Sequence, residues 1–178
     1  MVTEADKIKT ACFTGHRQIA EESLPKLLSD LYSAVLSLIG EGITDFVCGG
    51  ALGFDTLAAE CVLAMQNRFE NIKLCLVLPC RDQTKFWGTS DTQRYDRILH
   101  RANSVEYVAD TYFKGCMHER NRRMVNKSSV CVAYLQEAQG GTAYTVSYAE
   151  KNNLRIINLG KCDVRSYQYS LFDFNEGV

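Results

Sequence analysis

Short, continuously apolar runs alternate with helical patterns along most of the chain, and this alternation is the strongest constraint on its fold. The clearest run is "IKLCLVLP", which ends at Pro79, and "SVCVAYL" is equally apolar. Strands without polar alternation are buried on both faces, as in parallel sheets covered by helices. The pattern therefore predicts an α/β, Rossmann-like, doubly wound and mainly parallel sheet of about six strands, with helices on both faces. We expect the strand order 3-2-1-4-5-6.

The predicted elements follow one another without a linker or an internal repeat. The strands contain, in chain order, "TACF", "ITDFVCGG", "IKLCLVLP", "SVEYVAD", "SVCVAYL" and "RIINLG". The helices contain "SLPKLLSDLYSAVLSLIGEG", "FDTLAAECVLAMQNRF", "SDTQRYDRILHRA", "CMHERNRRMVNKS" and "GGTAYTVSYAEKNN". A length of 178 residues suits one domain. We expect a single domain over residues 1–178, with its core over about 8–160 and an aromatic tail over 161–178 that packs on the body or on a neighbouring subunit.

The charge balance argues against several classes of partner. The chain has 20 basic and 21 acidic side chains, for a net charge of −1, so it has no general attraction to nucleic acid or to anionic membranes. No apolar run approaches the roughly 20 residues that cross a bilayer, and "MVTEADKIKT" lacks the apolar region of a signal peptide. We expect a cytoplasmic protein without nucleic-acid or membrane partners, and association into a homo-oligomer stays open.

Most of the eight cysteines lie within apolar runs, such as Cys12 in "TACF" and Cys131 in "VCVAYL". The chain has no C-x-x-C pair, and Cys75 and Cys80 stand too far from other ligands for a four-ligand zinc site. A buried free cysteine behaves as a small apolar side chain. We therefore expect reduced core thiols, no bound metal and no cofactor.

Three glycine-containing loops, "TGHR", "GGALGFDT" and "QGGTAYT", follow the first, second and fifth predicted strands. In a doubly wound sheet, ligands bind beyond the carboxyl ends of the strands, where the strand order reverses. Glycine lets backbone N–H groups approach a ligand, and the helix that follows adds a partial positive charge that favours phosphate. None of the loops matches G-x-G-x-x-G or the Walker A pattern, so a dinucleotide dehydrogenase or a P-loop NTPase is not expected.

The basic helix "CMHERNRRMVNKS" adds a candidate arginine. Arg120 shares a helical face with Met117 and Met124, so it is expected to point inward, whereas Arg122 and Arg123 are expected to face solvent. A buried arginine requires an anion, which is either a carboxylate or a ligand phosphate.

These segments resemble a known superfamily. "MHERNRRM", a strand and then "GGT" are similar to the Lonely Guy (LOG) phosphoribohydrolases, whose pattern is M-H-E-R-K-x-x-M, a strand and then P-G-G-x-G-T-x-x-E. "GGALGFDTLAAE" resembles the S-G-x-A-x-G-I-D loop of the DNA-processing protein A family. Both families belong to the SMF/LOG (SLOG) superfamily of Rossmann-like domains, and "FTGHR" with the overall layout resembles its bacterial YpsA-like branch most closely. The resemblance covers about residues 8–160.

The resemblance implies nucleotide chemistry, but this sequence lacks one catalytic group of the LOG pattern. LOG enzymes cleave the N-glycosidic bond of a nucleoside 5′-monophosphate with an arginine, which Arg120 matches, and with the glutamate of G-T-x-x-E. Here Thr145 occupies the glutamate position, and Glu150 lies more than a helical turn further on. Asp55 and Glu119 are the candidates to replace that carboxylate, but Asp55 is equally suited to the first turn of a helix, and Glu119 is expected to face solvent.

The sequence therefore predicts binding or sensing of a nucleotide or nucleotide-derived ligand, similar to AMP or ADP-ribose, at the carboxyl edge of the sheet. The alternative is a nucleotide N-glycosidase related to the LOG family, with a displaced acid and with Arg120, Asp55 and Glu119 as catalytic candidates; a nucleic-acid-binding module is a third hypothesis. The candidate ligand-binding residues are Thr14, Gly15, His16, Arg17, Gly49, Gly50, Gly53, Asp55, Arg120, Gly140, Gly141 and Thr142.

Further side chains near these loops have two interpretations each. His16 is either a proton carrier or a structural hydrogen-bonding group, and Arg17 meets either a phosphate or an exposed acid. Trp87 and Tyr95 either stack on a nucleobase or cover the edge of the core. The polar segment 81–95 is the best candidate for a mobile lid.

Overall fold

The computed structural model of the protein describes residues 3–161. Residues 162–178, which carry most of the predicted aromatic tail, lie outside the described residues. The strands are β1 (Thr10–Gly15), β2 (Asp45–Cys48), β3 (Lys73–Leu78), β4 (Ser104–Tyr107), β5 (Val130–Tyr134) and β6 (Arg155–Asn158). The helices are α1 (Glu4–Ile8), α2 (Leu24–Gly40), α3 (Phe54–Met65), α4 (Thr89–Arg101), α5 (Cys116–Asn126) and α6 (Gly140–Lys151), with a 3₁₀ turn at Glu21–Ser23.

The six strands form one parallel sheet, which confirms the predicted fold class. Their order is β4-β3-β2-β1-β5-β6, so the predicted order 3-2-1-4-5-6 is wrong for β4, which pairs with β3 through Leu78 and Tyr107. The placement follows burial, because Ser104 and Val105 of β4 are exposed whereas every residue of β5 is buried. A half-polar strand suits a sheet edge, and a fully apolar strand suits the centre beside β1.

Helices cover both faces of the sheet. Helices α2, α3 and α4 pack over the larger core, and α5 and α6 pack over the other face. Side chains at the centre of the larger core include Phe13, Phe46 and Phe54, and the opposite face contains Cys12, Val47, Met124, Cys131 and Ala149. None of the helices within residues 3–161 is long and apolar enough to cross a membrane.

Local sequence explains where individual helices begin and which face they bury. Leu27, Leu31, Val35 and Leu38 form the buried stripe of α2, and a proline occupies the first turn of this helix, as predicted. Helix α1 was not expected from its composition; it begins at a capping box in which the side chains of Thr3 and Asp6 bond to each other's backbone N–H groups.

The seven cysteines within residues 3–161 are free thiols. Five of them are buried, and Cys61 and Cys75 are half-buried, so none of these thiols is fully exposed. The same part of the chain contains no group of three or more histidine, cysteine or acidic side chains placed to hold a metal ion.

Candidate ligand-binding site

The loops that follow β1, β2 and β5 meet at one cavity of about 320 Å³. Strand β1 lies between β2 and β5, which is the point where the chain reverses its direction across the sheet and where such folds bind ligands. The residues that line the cavity are Phe13, Thr14, Gly15, His16, Arg17, Ala51, Asp55, Met117, Arg120, Asn121, Gly141 and Thr142.

Eight of the predicted site residues line this cavity: Thr14, Gly15, His16, Arg17, Asp55, Arg120, Gly141 and Thr142. Gly49, Gly50, Gly53 and Gly140 belong to the same loops but do not line it. Glu119 lies elsewhere, since its carboxylate bonds to Arg123 on the outer side of α5, where 38% of the Glu119 side chain is accessible. Its predicted position facing away from the ligand is therefore correct.

Four lining residues were absent from the predicted site: Phe13, Ala51, Met117 and Asn121. Asn121 follows Arg120 on α5 and reaches α6, where its Nδ2 donates to Thr145 Oγ1 at 2.7 Å. Ala51 contributes backbone to the cavity, and Phe13 lies beneath it at the end of β1. Backbone and core residues of these kinds carry no signal that distinguishes them in sequence, whereas the helical spacing of Met117, Arg120 and Asn121 does place them on one face.

A buried ion pair between Arg120 and Asp55 forms one wall of the cavity. Arg120 Nη1 donates to Asp55 Oδ2 at 3.2 Å, and both side chains are 6% accessible. The backbone N–H of Ala51 also donates to Asp55 Oδ2, at 3.3 Å. Arg120 therefore points inward as predicted, and among the described residues its anion is the internal acid.

The guanidinium of Arg120 is incompletely satisfied by this pairing. Its Nε is buried and has no hydrogen-bond partner within residues 3–161, and its Nη2 has only a long contact with Met117 Sδ at 4.0 Å. Burial lowers the pKa of Arg120 and raises the pKa of Asp55, and their mutual attraction opposes both shifts. The pair is thus desolvated, and the arginine retains donor capacity for a second anion.

Glycine at position 49 is required because the arginine lies against the backbone there. A Cβ on Gly49 would stand 1.4 Å from Arg120 Nη1 and 2.8 Å from Asp55 Oδ2. Any larger residue at this position would displace the guanidinium. Gly49 therefore acts on the cavity through Arg120 rather than through direct contact.

Arg17 adds a second positive charge at the cavity. It lines the wall, is exposed, and makes no ion pair within residues 3–161. Its charge opposes protonation of both members of the buried pair. It therefore works against the rise in the pKa of Asp55 and adds to the fall in the pKa of Arg120. Two arginines against one aspartate leave an excess positive charge, so the cavity suits an anion.

His16 supports the loop rather than presenting a free base. Its Nε2 accepts a hydrogen bond from the backbone N–H of Gln136 at 3.0 Å, and its carbonyl oxygen accepts one from Phe54 N–H at 3.1 Å. The ring also packs edge-on against Tyr134. These bonds join the loops after β1 and β5 to the start of α3, in agreement with the structural interpretation of this residue.

The stability of the fold is expected to fall with acidification through His16. Burial lowers the pKa of His16, and protonation of Nε2 would remove the acceptor for Gln136. Below the unfolded pKa of about 6.5, the unfolded chain binds a proton that the native histidine resists, so stability is lost as pH falls from above 6.5 toward the lower native pKa. Urea unfolding between about pH 7.5 and 5.5 should show a steeper loss for the wild type than for His16→Gln. Parallel pH profiles for the two proteins would contradict this role.

The amino-terminal end of α6 forms another part of the cavity wall. Gly141 and Thr142 line the cavity, and Gln139 at the cap position makes no side-chain hydrogen bond to the helix. The first N–H groups of a helix have no acceptor within the helix, and its positive end attracts anions. This arrangement is suited to a phosphate.

Thr145 occupies the place of the LOG glutamate and is engaged locally. Its Oγ1 donates to the carbonyl of Gly141 and accepts from Asn121 Nδ2, both at 2.7 Å, and the residue is 1% accessible. Glu150 lies at the exposed far end of α6. The position that carries the acid in the LOG pattern is thus occupied by a neutral hydroxyl that links α5 to α6.

The predicted lid does not cover the cavity. None of the residues 81–95 lines it; instead, Gln83 Nε2 donates to the carbonyl of Gly50. Trp87 and Tyr95 pack edge to face at 5.5 Å and lie against the larger core. These two aromatic residues therefore cover the core edge, as the alternative interpretation proposed.

Fold and cavity together define a class: Rossmann-like proteins with an anion-suited pocket at the switch point of a parallel sheet. Comparison with known families specifies the class further. The model of the family described as the YspA SLOG family matches residues 13–159. The chain belongs to this family, the YpsA-like branch of the SLOG superfamily.

The curated relatives of the chain include two proteins of Bacillus subtilis. The SPbeta prophage-derived protein YoqJ is 28% identical over 141 residues, covering 70% of this chain and 82% of YoqJ. YpsA is 21% identical over 154 residues, covering 81% of this chain and 86% of YpsA.

Among solved structures, DNA processing protein A has a similar fold. The Helicobacter pylori protein, whose structure was described for its single-stranded DNA binding mode, has a TM-score of 0.65 at 19% identity over 91% of this chain and 71% of its own. The Streptococcus pneumoniae protein has a TM-score of 0.61 at 16% identity over 85% of this chain and 50% of its own. At these identities the similarity establishes the fold.

Proposed function

We propose that the cavity binds the phosphate of a nucleotide or nucleotide-derived ligand, similar to AMP or ADP-ribose, and that the protein acts by binding this ligand. The observation that carries the proposal is the buried guanidinium of Arg120. This residue lines the cavity, and its Nε has no hydrogen-bond partner within the described part of the chain. A desolvated donor of this kind is costly unless an acceptor meets it. A phosphate oxygen supplies that acceptor.

Charge and geometry support an anion rather than a neutral ligand. Arg17, Arg120 and one aspartate line the cavity, and Gly141 and Thr142 add the positive end of α6 to its wall. An arginine fork together with helix N–H groups is a common means of phosphate recognition. The cavity volume of about 320 Å³ is sufficient for a small ligand group.

Binding without turnover is favoured by the state of the nearby carboxylates. Cleavage of a glycosidic bond passes through a cationic sugar, which an ionised carboxylate stabilises. Asp55 already accepts from Arg120 and from Ala51, Glu119 is paired with Arg123, and Thr145 replaces the LOG glutamate. The N-glycosidase alternative therefore has no free carboxylate among these three positions.

Isothermal titration calorimetry tests the proposal directly. AMP, ADP-ribose, ribose 5-phosphate and inorganic phosphate are titrated into the protein, and chromatography of the AMP mixture checks for released adenine. A single-stranded oligonucleotide forms a separate arm, because a structural neighbour is described as binding single-stranded DNA, and a net charge of −1 does not exclude a local site. Heat with the phosphorylated ligands and no free adenine is expected; no binding of any phosphate-containing small molecule would refute the proposal.

Replacing Arg17 by alanine should weaken phosphate binding with little effect on the fold. Arg17 has no ion pair within residues 3–161, so its removal leaves no stranded charge. Loss of one charge-assisted contact should reduce affinity for AMP by about 1.5–3 kcal/mol, or roughly ten- to a hundredfold. Calorimetry measures the affinity, and thermal melts measure the stability. Arg122 is an exposed arginine of α5 outside the cavity, so Arg122→Ala is the matched control and should bind AMP as the wild type does. Equal affinities of the two variants for AMP would contradict the role of Arg17.

A further inference from the structure

An aromatic pair lies on the solvent side of the junction between α5 and α6. The rings of His118 and Tyr144 are 4.6 Å apart and meet edge to face. His118 is exposed, and Tyr144 is 37% accessible. Behind them, Tyr148 stacks on Tyr144 at 6.4 Å with an interplanar angle of 11°, and the Tyr148 hydroxyl donates to Asn126 Oδ1 at 3.1 Å.

This pair lies next to the cavity. His118 stands three positions before Asn121 on α5, and Tyr144 stands three positions after Gly141 on α6, so each ring shares a helical face with a residue that lines the cavity. The Asn121–Thr145 hydrogen bond joins the two helices beside this pair. The rings therefore lie near the cavity end of the α5–α6 junction, within the first two turns of both helices.

The cavity itself offers little to a nucleobase. Its volume of about 320 Å³ is at the small end of the range for ligand pockets, and its walls are mostly glycine, threonine, arginine and other polar groups. The one phenylalanine among them, Phe13, is fully buried in the core. A phosphate held between Arg120 and Gly141 thus leaves the base of the ligand to be met outside the cavity.

We propose that His118 and Tyr144 form a stacking platform for the nucleobase of the ligand; this inference rests on the proposed phosphate site. Aromatic faces stack on any base, and a pre-positioned pair loses little conformational freedom on binding. The stacked Tyr148 and its bond to Asn126 hold Tyr144 in place from behind. The platform would distinguish a nucleotide from a sugar phosphate, whereas the cavity recognises the phosphate that both share.

The test compares ligands with and without a base. AMP and ribose 5-phosphate are titrated by calorimetry into the wild type, Tyr144→Ala and Tyr144→Phe. The wild type should bind AMP roughly 5- to 100-fold more tightly than ribose 5-phosphate, as expected from the stacking of one base. Tyr144→Ala should lose most of that preference while binding ribose 5-phosphate as the wild type does, and Tyr144→Phe should retain the preference because the ring remains.

Tyr32→Ala is the matched control, because Tyr32 is 41% accessible and lies on α2 on the opposite face of the sheet. It should behave as the wild type toward both ligands. An unchanged preference for AMP in Tyr144→Ala, with normal ribose 5-phosphate binding, would overturn the platform and leave the phosphate site intact. Failure of the wild type to bind either ligand would instead refute the phosphate site, and the platform with it.

Discussion

Replacing Arg120 by alanine is expected to lower the free energy of unfolding by about 3–5 kcal/mol, because it leaves Asp55 buried without its partner. Both side chains are 6% accessible, and their hydrogen bond spans 3.2 Å between α5 and the start of α3. Chemical denaturation at neutral pH measures the loss. The deficit should shrink on acidification, because a stranded carboxylate has a raised native pKa and its protonated form is the easier one to bury.

Two comparison variants isolate the cause of this loss. Arg123→Ala removes an arginine from the same helix that is 36% accessible and paired with Glu106 and Glu119, and it should cost no more than about 1 kcal/mol. The double variant Asp55→Asn with Arg120→Met removes both charges at similar volume, so it should recover much of the stability lost in Arg120→Ala. If Arg120→Ala melts as the wild type does and loses only ligand affinity, the ion pair has no structural role and the arginine serves the ligand alone.

The inward orientation of Arg120 could be predicted from sequence, but its partner could not. Spacing along α5 places Met117, Arg120 and Met124 on one face, and burial of that face follows from its apolar members. The choice between Asp55 and a ligand phosphate depends on how closely α3 and α5 approach each other across the carboxyl edge of the sheet. That distance is a tertiary property, and no local pattern encodes it.

The sheet shows the same division between local and tertiary information. Each of the six strands could be recognised from its own residues, and the loops after β1, β2 and β5 were correctly grouped because β1 is central in either strand order. The position of β4 was wrong, because the residues of a strand identify it as a strand but do not identify its neighbours in the sheet. The polar Ser104 and Glu106 of β4 did carry a signal for an edge, which the continuously apolar β5 lacks.

The glycines of the second loop show why a motif is only a partial guide to a site. They were expected to contact the ligand, yet Gly49 and Gly53 do not line the cavity. Gly49 leaves room for the guanidinium of Arg120, and Gly53 leaves room for the loop after β1. Sequence indicates that these positions need glycine, but only the packed structure shows which group makes a side chain impossible.

Replacing Gly53 by alanine is expected to destabilise the fold by roughly 2–5 kcal/mol and to weaken ligand binding as well. Gly53 precedes α3 with φ +74° and ψ −121°, a backbone conformation that residues with a side chain rarely adopt. A Cβ there would also stand 2.2 Å from the carbonyl oxygen of Arg17 and 2.6 Å from that of His16. Relief of these contacts must move the first loop away from α3, and with it the hydrogen bond from Phe54 N–H to the His16 carbonyl and the position of Arg17 at the cavity.

Substitutions at two further glycines distinguish the cost of backbone strain from the cost of the steric clash at Gly53. Gly42 has φ +93°, and a Cβ there would have no atom within 4 Å apart from those of its chain neighbours. Gly42→Ala should therefore cost only the backbone strain, about 1–2 kcal/mol. Gly40, the last residue of α2, has equal space and an ordinary φ, and Gly40→Ala should be neutral or stabilise by about 0.5–1 kcal/mol. Denaturant unfolding ranks the three variants, and calorimetry with AMP follows the site. A loss for Gly53→Ala no larger than that for Gly42→Ala, with unchanged affinity, would show that the first loop adapts freely and that its contact with Gly53 does not position Arg17.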